Sequence, residues 1–285
     1  MSLKLAFALI LLLAAAGPAA AQEIRPTLDK IKETGVITLG HRETARPFSF
    51  IGSDGKPTGY SVDLCLQVVA GLRQTLKLPE LKVAWLAVTP ADRISKLVKG
   101  AIDLECGSTT ITFSRMEQVA FSHMIFVDGG SLLATAQSGI STLKDLGGKR
   151  VGLIPHTTTE KALAQAMSAA GVQATIVTVT IHGEGLRALE EGKIDAYASD
   201  RILLAGLQSA AKDPAKLKLS SEFFSYEPYA LMLRRGDNAF QANVNRTLSH
   251  LYRSGLVQIY ERWLGPFADA SPLVKALYLL HTWPD

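Results

Sequence analysis

The sequence predicts an α/β fold built as two lobes around a central cleft. Short apolar stretches alternate with segments carrying apolar residues at helical spacing, the pattern of strands and helices laid against each other. The second half also echoes the first. Leu28-Asp-Lys-Ile31 before Val36 corresponds to Leu143-Lys-Asp-Leu146 before Val151, and the same offset sets His41 against His156 and Arg42 against Thr157. Gly100-Ala-Ile-Asp103 has a counterpart in Gly192-Lys-Ile-Asp195. Each lobe thus has a helix, a glycine stop and a strand that leads to a polar end.

In chain order, the first 21 residues read as a leader. Lys4 precedes an apolar run, Gly17 and Pro18 break it, and Ala19-Ala-Ala21 supplies a small-residue cleavage site before Gln22. The run is too short for a membrane span, and no cysteine follows it to carry a lipid anchor. A free periplasmic protein is expected. Without the leader, 29 basic residues stand against 26 acidic ones with the signs interspersed, so no nucleic-acid stripe or polybasic tail is expected.

Val36-Ile-Thr-Leu39 reads as a strand, residues 60–76 as a helix and residues 83–86 as a second strand. Thr89-Pro90 suits the opening of the next helix, with threonine at the cap and proline at the first position. Cys65 and Cys106 are the two cysteines. An oxidising compartment allows a bridge, and two buried free thiols fit the sequence equally well. The chain is expected to cross into the second lobe near residues 126–131 and to return near 229–233. That gives a first lobe of 22–128 plus 233–285 and a second of 129–232, with the apolar end from Pro272 docking as a helix.

In open α/β sheets ligands settle beyond the carboxyl ends of strands. The richest such end is Ser108-Thr-Thr110 followed by Thr112, Ser114 and Arg115. The guanidinium fork of Arg115 matches a carboxylate two bonds at a time, and the hydroxyls beside it offer hydrogen bonds. Thr157-Thr-Thr-Glu160 has the form of a capping box, and its free helix amides suit an anion. Asp200 ends a strand over 194–198 and equally suits the cap of the helix that follows over 201–207.

The ordered set Gly40-His-Arg-Glu43, Pro47-Phe-Ser49, Gly59-Tyr-Ser61, Glu105-Cys-Gly-Ser-Thr-Thr110, Ala120-Phe-Ser122, His182-Gly183 and Leu203-Leu-Ala-Gly206 resembles the polar amino-acid-binding proteins that feed ABC importers (solute-binding family 3). Among them it looks most like the glutamate/aspartate-binding branch. The resemblance implies a type II periplasmic-binding-protein fold. It also implies an α-carboxylate on Arg115 with Ser108 and Thr110 as helpers, an α-ammonium on Asp200, and a ligand side-chain carboxylate on Arg42 and Arg93 with His182 helping. Glutamate, aspartate or a related polar amino acid is the implied ligand, an ABC permease the implied partner, and a monomer without cofactor or metal the implied form. Pro90 and Ile154 depart from that branch, which has hydroxyl residues in their places. A signalling receptor's ligand sensor would use the same cleft.

The alternative is an enzyme. Relatives of this fold include dehydratases of prephenate or arogenate, and Glu43, Glu105 and Glu184 are the acids so placed. No G-x-S-x-G elbow, H-E-x-x-H pair or Walker A loop is present.

Overall fold

The computed structural model describes residues 25–267 and 270–284, so the expected leader lies outside the described residues. The first part of the chain comprises α1 (Thr27–Thr34), β1 (Val36–His41), β2 (Thr44–Ala45), β3 (Ser49–Ile51), β4 (Pro57–Thr58), α2 (Tyr60–Thr75), β5 (Lys82–Ala87), α3 (Arg93–Val98), β6 (Leu104–Thr110), α4 (Phe113–Met116) and β7 (Val119–Asp128). The middle comprises β8 (Gly130–Thr135), β9 (Arg150–Leu153), α5 (Thr158–Ala170), β10 (Thr175–Thr178), α6 (His182–Glu190), β11 (Ala196–Asp200), α7 (Arg201–Ser209) and β12 (Leu217–Leu219). The last part comprises β13 (Glu227–Arg234), α8 (Asn238–Ser254), α9 (Leu256–Trp263) and α10 (Pro272–Leu280).

Two five-stranded sheets organise the molecule, in the orders β5-β1-β6-β13-β7 and β10-β9-β11-β8-β12. In each, a parallel set receives antiparallel strands from the crossing segments: β13 against β6 and β7, and β8 against β11 and β12. The echo seen in the sequence is structural at β1 with β9 and at β6 with β11. It is looser at Leu143–Leu146, which forms a 3-10 turn where α1 is a full helix.

The central strands are covered on both faces. Ile37, Leu39, Leu104, Leu231 and Leu233 pack under α2 and α8 through Leu64, Val68, Phe240 and Val244. Leu97, Ile102, Val119 and Met232 fill the opposite face. Such double burial explains the near-continuous apolar run of β13 from Tyr229 to Leu233. Helix α10 docks on the first lobe, with Ser271 capping the Val274 amide and the Tyr278 hydroxyl 2.9 Å from that of Tyr60. A disulfide joins Cys65 on α2 to Cys106 on β6, with Cα atoms 6.2 Å apart.

The chain leaves the first sheet at Asp128 and enters the second at Gly130. The return differs. Glu227 already pairs with Asp128 in the first sheet, upstream of the expected boundary at 233. The apolar run 229–233 marks only the strand's most covered stretch, and Glu227 extends it in pairing without extending it in hydrophobicity.

The helix expected at Thr89-Pro90 starts later, at Arg93. Residues 90–92 form a turn, and the Asp92 carboxylate accepts the Thr89 amide at 2.7 Å. Among the described residues no helix is long and apolar enough to cross a membrane.

Candidate functional site

Strand ends of both sheets meet around one small cavity of about 30 Å³, lined by Arg42, Pro90, Arg93, Ser108, Thr110, Thr157, Thr158, Thr159, His182, Ser199, Asp200 and Leu203. A space of that size holds one or two waters, so an amino acid enters only when the lobes part. Contacts between the lobes close it. The Thr44 hydroxyl accepts the His182 amide at 3.3 Å, and the Thr110 and Thr158 hydroxyl oxygens stand 3.3 Å apart. Gly206 on α7 lies against the first lobe, where an added Cβ would stand 2.6 Å from the Arg46 carbonyl oxygen.

Seven of the eight site residues expected from the sequence line this cavity. The eighth, Arg115, is not in its lining and instead lines a wider neighbouring groove with Thr112, Ser114 and Gln118. Its Nη1 donates to the Thr110 carbonyl at 2.7 Å, which fixes the fork next to the cavity it was expected to enter. Burial, and then the nearby Arg93 charge, lower the Arg115 pKa to about 10.

Arg42 and Arg93 are almost wholly buried, at 4% and 3% exposure. Strand β1 delivers Arg42 just past its end, and the Arg42 amide is held by the Ser49 hydroxyl at 2.9 Å. Burial and the adjacent Arg93 bring the Arg42 pKa down to about 10, while Glu105 works against the shift. Arg93 Nη1 donates to the Thr109 hydroxyl at 2.6 Å, and that hydroxyl donates to Glu105 Oε2 at 2.8 Å. Gly107 makes room for this acid, since a Cβ there would fall 2.2 Å from Glu105 Oε1. Arg93 Nε and Glu105 Oε1 are buried without a hydrogen-bond partner. Guanidinium nitrogens left unpaired in a buried site carry a desolvation cost that an anion can relieve.

His182 opens α6, and its Nδ1 is 3.0 Å from the Tyr197 hydroxyl. Burial, with Arg42 beside it, pushes its pKa down to about 3, so the ring is neutral at any ordinary pH. A Tyr197 proton on Nδ1 leaves the ring proton on Nε2.

Asp200 ends β11 but does not cap α7. Asp128 does that, accepting the Ile202 amide at 2.8 Å. Asp200 instead accepts the Thr159 hydroxyl at 2.9 Å and the hydroxyl of Tyr229. Burial, then Glu227 and Asp128, raise its carboxyl to about 7. A cation brought beside this carboxylate would relieve that strain on its charge.

Thr157 caps α5, accepting the Glu160 amide at 3.2 Å and donating to the Ile154 carbonyl at 2.8 Å. The capping box closes one residue early, with Glu160 accepting the amide of His156 at 2.8 Å. Of the two departures, Pro90 lines the cavity and Ile154 does not. Glu43, Glu105 and Glu184 do not line it either.

Sequence reasoning missed Glu227, Tyr229 and Thr159. The threonine run hinted at the last, but Glu227 heads an apolar stretch and gives no local signal.

Two facing α/β lobes that enclose buried arginines at one end and a buried acid at the other define a binding protein for a small charged solute. The chain belongs to the bacterial extracellular solute-binding proteins, family 3, whose family model matches residues 37–266. It is 42% identical over 248 residues to an L-glutamate/L-aspartate-binding protein of Pseudomonas aeruginosa, covering 86% of this chain and 82% of that one. It is 36% identical over 265 residues to a glutamate/aspartate import solute-binding protein of Salmonella typhimurium, covering 91% and 88%. Among solved structures it is similar to an ancestral arginine-binding protein bound to glutamine, with a TM-score of 0.71, 29% identity and coverage of 81% and 98%. An ancestral amino acid-binding protein, a precursor of cyclohexadienyl dehydratase, superposes with a TM-score of 0.72 at 26% identity, covering 83% and 99%.

Proposed function

We propose that this protein captures glutamate or aspartate by closing its lobes and delivers it to an ABC permease at the membrane, as an exported monomer whose leader is cut after Ala21. The observation that carries the choice of ligand is the burial of Arg42 and Arg93 side by side, with Arg93 Nε lacking a partner. One anionic side chain would neutralise what Glu105 does not. The relatives named for glutamate and aspartate support the same choice.

At the other end, Asp200 takes the α-ammonium, and Ser108 and the α5 amides at Thr157 face the α-carboxylate. Arg115 reaches that carboxylate once its tie to the Thr110 carbonyl is exchanged. Pro90 adds no hydroxyl to the side-chain end, so the arginines and His182 carry that recognition. Capture makes and breaks no covalent bond in the ligand.

Titration calorimetry with glutamate, aspartate, glutamine, asparagine and glutarate tests the reading. The two acidic amino acids should bind at sub-micromolar Kd, more than about 8 kcal/mol, and their amides far more weakly. Equal affinity for glutamine, or no heat with either acid, would overturn it. Prephenate and arogenate should release neither phenylpyruvate nor phenylalanine.

A further inference from the structure

Glu227 stands at the start of β13, 1% exposed, where the two crossing segments lie side by side. Its Oε2 accepts the Thr110 hydroxyl at 2.6 Å and the Thr158 hydroxyl at 2.6 Å. Its Oε1 accepts the Ser225 hydroxyl at 2.6 Å. These four residues come from three places: the end of β6, the first turn of α5 and the return crossing.

A hydroxyl has one proton to donate and two lone pairs. Thr110 and Thr158 both spend that proton on the same carboxylate oxygen, so neither can donate to the other or into the cavity. Both residues line the cavity beside Asp200. What they present there is lone pairs alone.

We infer that Glu227 is a positioning residue for the ammonium end of the site: by holding the hydroxyl protons of Thr110 and Thr158, it turns one oxygen from each lobe into an acceptor next to Asp200. The inference rests on the amino-acid reading above and deepens it. Three acceptors then converge on a group with three N–H donors. Two of the three are brought together only when the lobes meet, so the ammonium also favours closure. A carboxylate placed at the same spot would meet oxygens without protons, which excludes the ligand in the reverse orientation.

The test compares Glu227→Met with wild type in the full mature protein, by calorimetry with L-glutamate and by competition with glutarate, which lacks the amine. Methionine keeps the side chain's length but offers no carboxylate oxygen, so both threonine protons are released; a glutamine amide would keep its oxygen on the two threonines and turn its NH2 to Ser225. Glutamate should weaken about ten-fold or more, the size of a hydrogen bond to a charged group, while glutarate changes by less than about three-fold. A coupling cycle with Thr158→Val gives a second readout. The double variant should bind glutamate no worse than about two-fold below Glu227→Met alone, because both changes remove the same acceptor. Equal losses for glutamate and glutarate, unchanged glutamate affinity, or additive losses in the cycle would each overturn the inference. A wild type that binds no glutamate refutes the ligand reading instead. The position-227 comparison then runs on the amino acid the wild type does bind, against the same acid without its amine.

Discussion

Tyr229, in the sheet of the first lobe, donates its hydroxyl to Asp200 at the strand end of the second. The cleft acid is thus held from both sides, by Tyr229 and by Thr159. Its carboxyl is nonetheless raised to about 7 by burial, Glu227 and Asp128. Between the ordinary value of 3.8 and about 7 the folded protein binds a proton that the unfolded chain does not. The stability linked to this group therefore falls as pH rises through that window. A ligand ammonium favours the charged form, so binding should expel a proton below about pH 7. Calorimetry near pH 6 in buffers of different ionisation heat should give different apparent enthalpies, and Asp200→Asn should remove the difference. Identical enthalpies for the wild type would count against the ammonium contact.

Arg93→Met should weaken glutamate by about ten- to a hundred-fold, the range for charged hydrogen bonds, and glutamine much less. Arg115→Lys should weaken both ligands alike, because it touches the end they share and a point charge does not replace the fork. Titrations of both amino acids with both variants check this. A preserved glutamate preference in Arg93→Met would remove Arg93 from the side-chain end.

Gly206→Ala should hinder closure, since the new methyl would stand 2.6 Å from the Arg46 carbonyl. Glutamate affinity should drop by about ten-fold or more, the scale of an overpacked contact of 1–3 kcal/mol, while the unliganded melting temperature stays near wild type. Small-angle scattering at saturating ligand should show the variant more open. An equally compact liganded variant would mean that this contact does not govern closure.

Removing the bridge with Cys65→Ala and Cys106→Ala should cost about 2–5 kcal/mol, the usual loss for a native disulfide. A lower urea midpoint reads it directly. Wild type in reductant should approach the double variant, and a midpoint insensitive to both would show that the bridge adds nothing to stability.

Much of this arrangement was legible because it is local. Polar residues just past apolar strands mark the cleft, which brought Arg42, Ser108, Thr110 and Asp200 into view, and the lobe echo added Thr157. Contacts made over long sequence distances were not legible. Asp128 takes the α7 cap from 74 residues away, which frees Asp200. Glu227 gathers hydroxyls from segments 117 and 69 residues upstream. Arg115 followed the hydroxyl run as expected, but its turn toward the Thr110 carbonyl depends on a short helix whose direction no spacing reveals. The pairing of Cys65 with Cys106 likewise depends on a Cα separation that only the fold sets.

A crystal structure with L-glutamate bound would show which groups hold each end of the ligand. The side-chain carboxylate should lie within hydrogen-bond distance of Arg42 and Arg93, with the ammonium on Asp200 and between the Thr110 and Thr158 oxygens. Glutamate bound the other way round, or outside this cavity, would rule out this mode of binding.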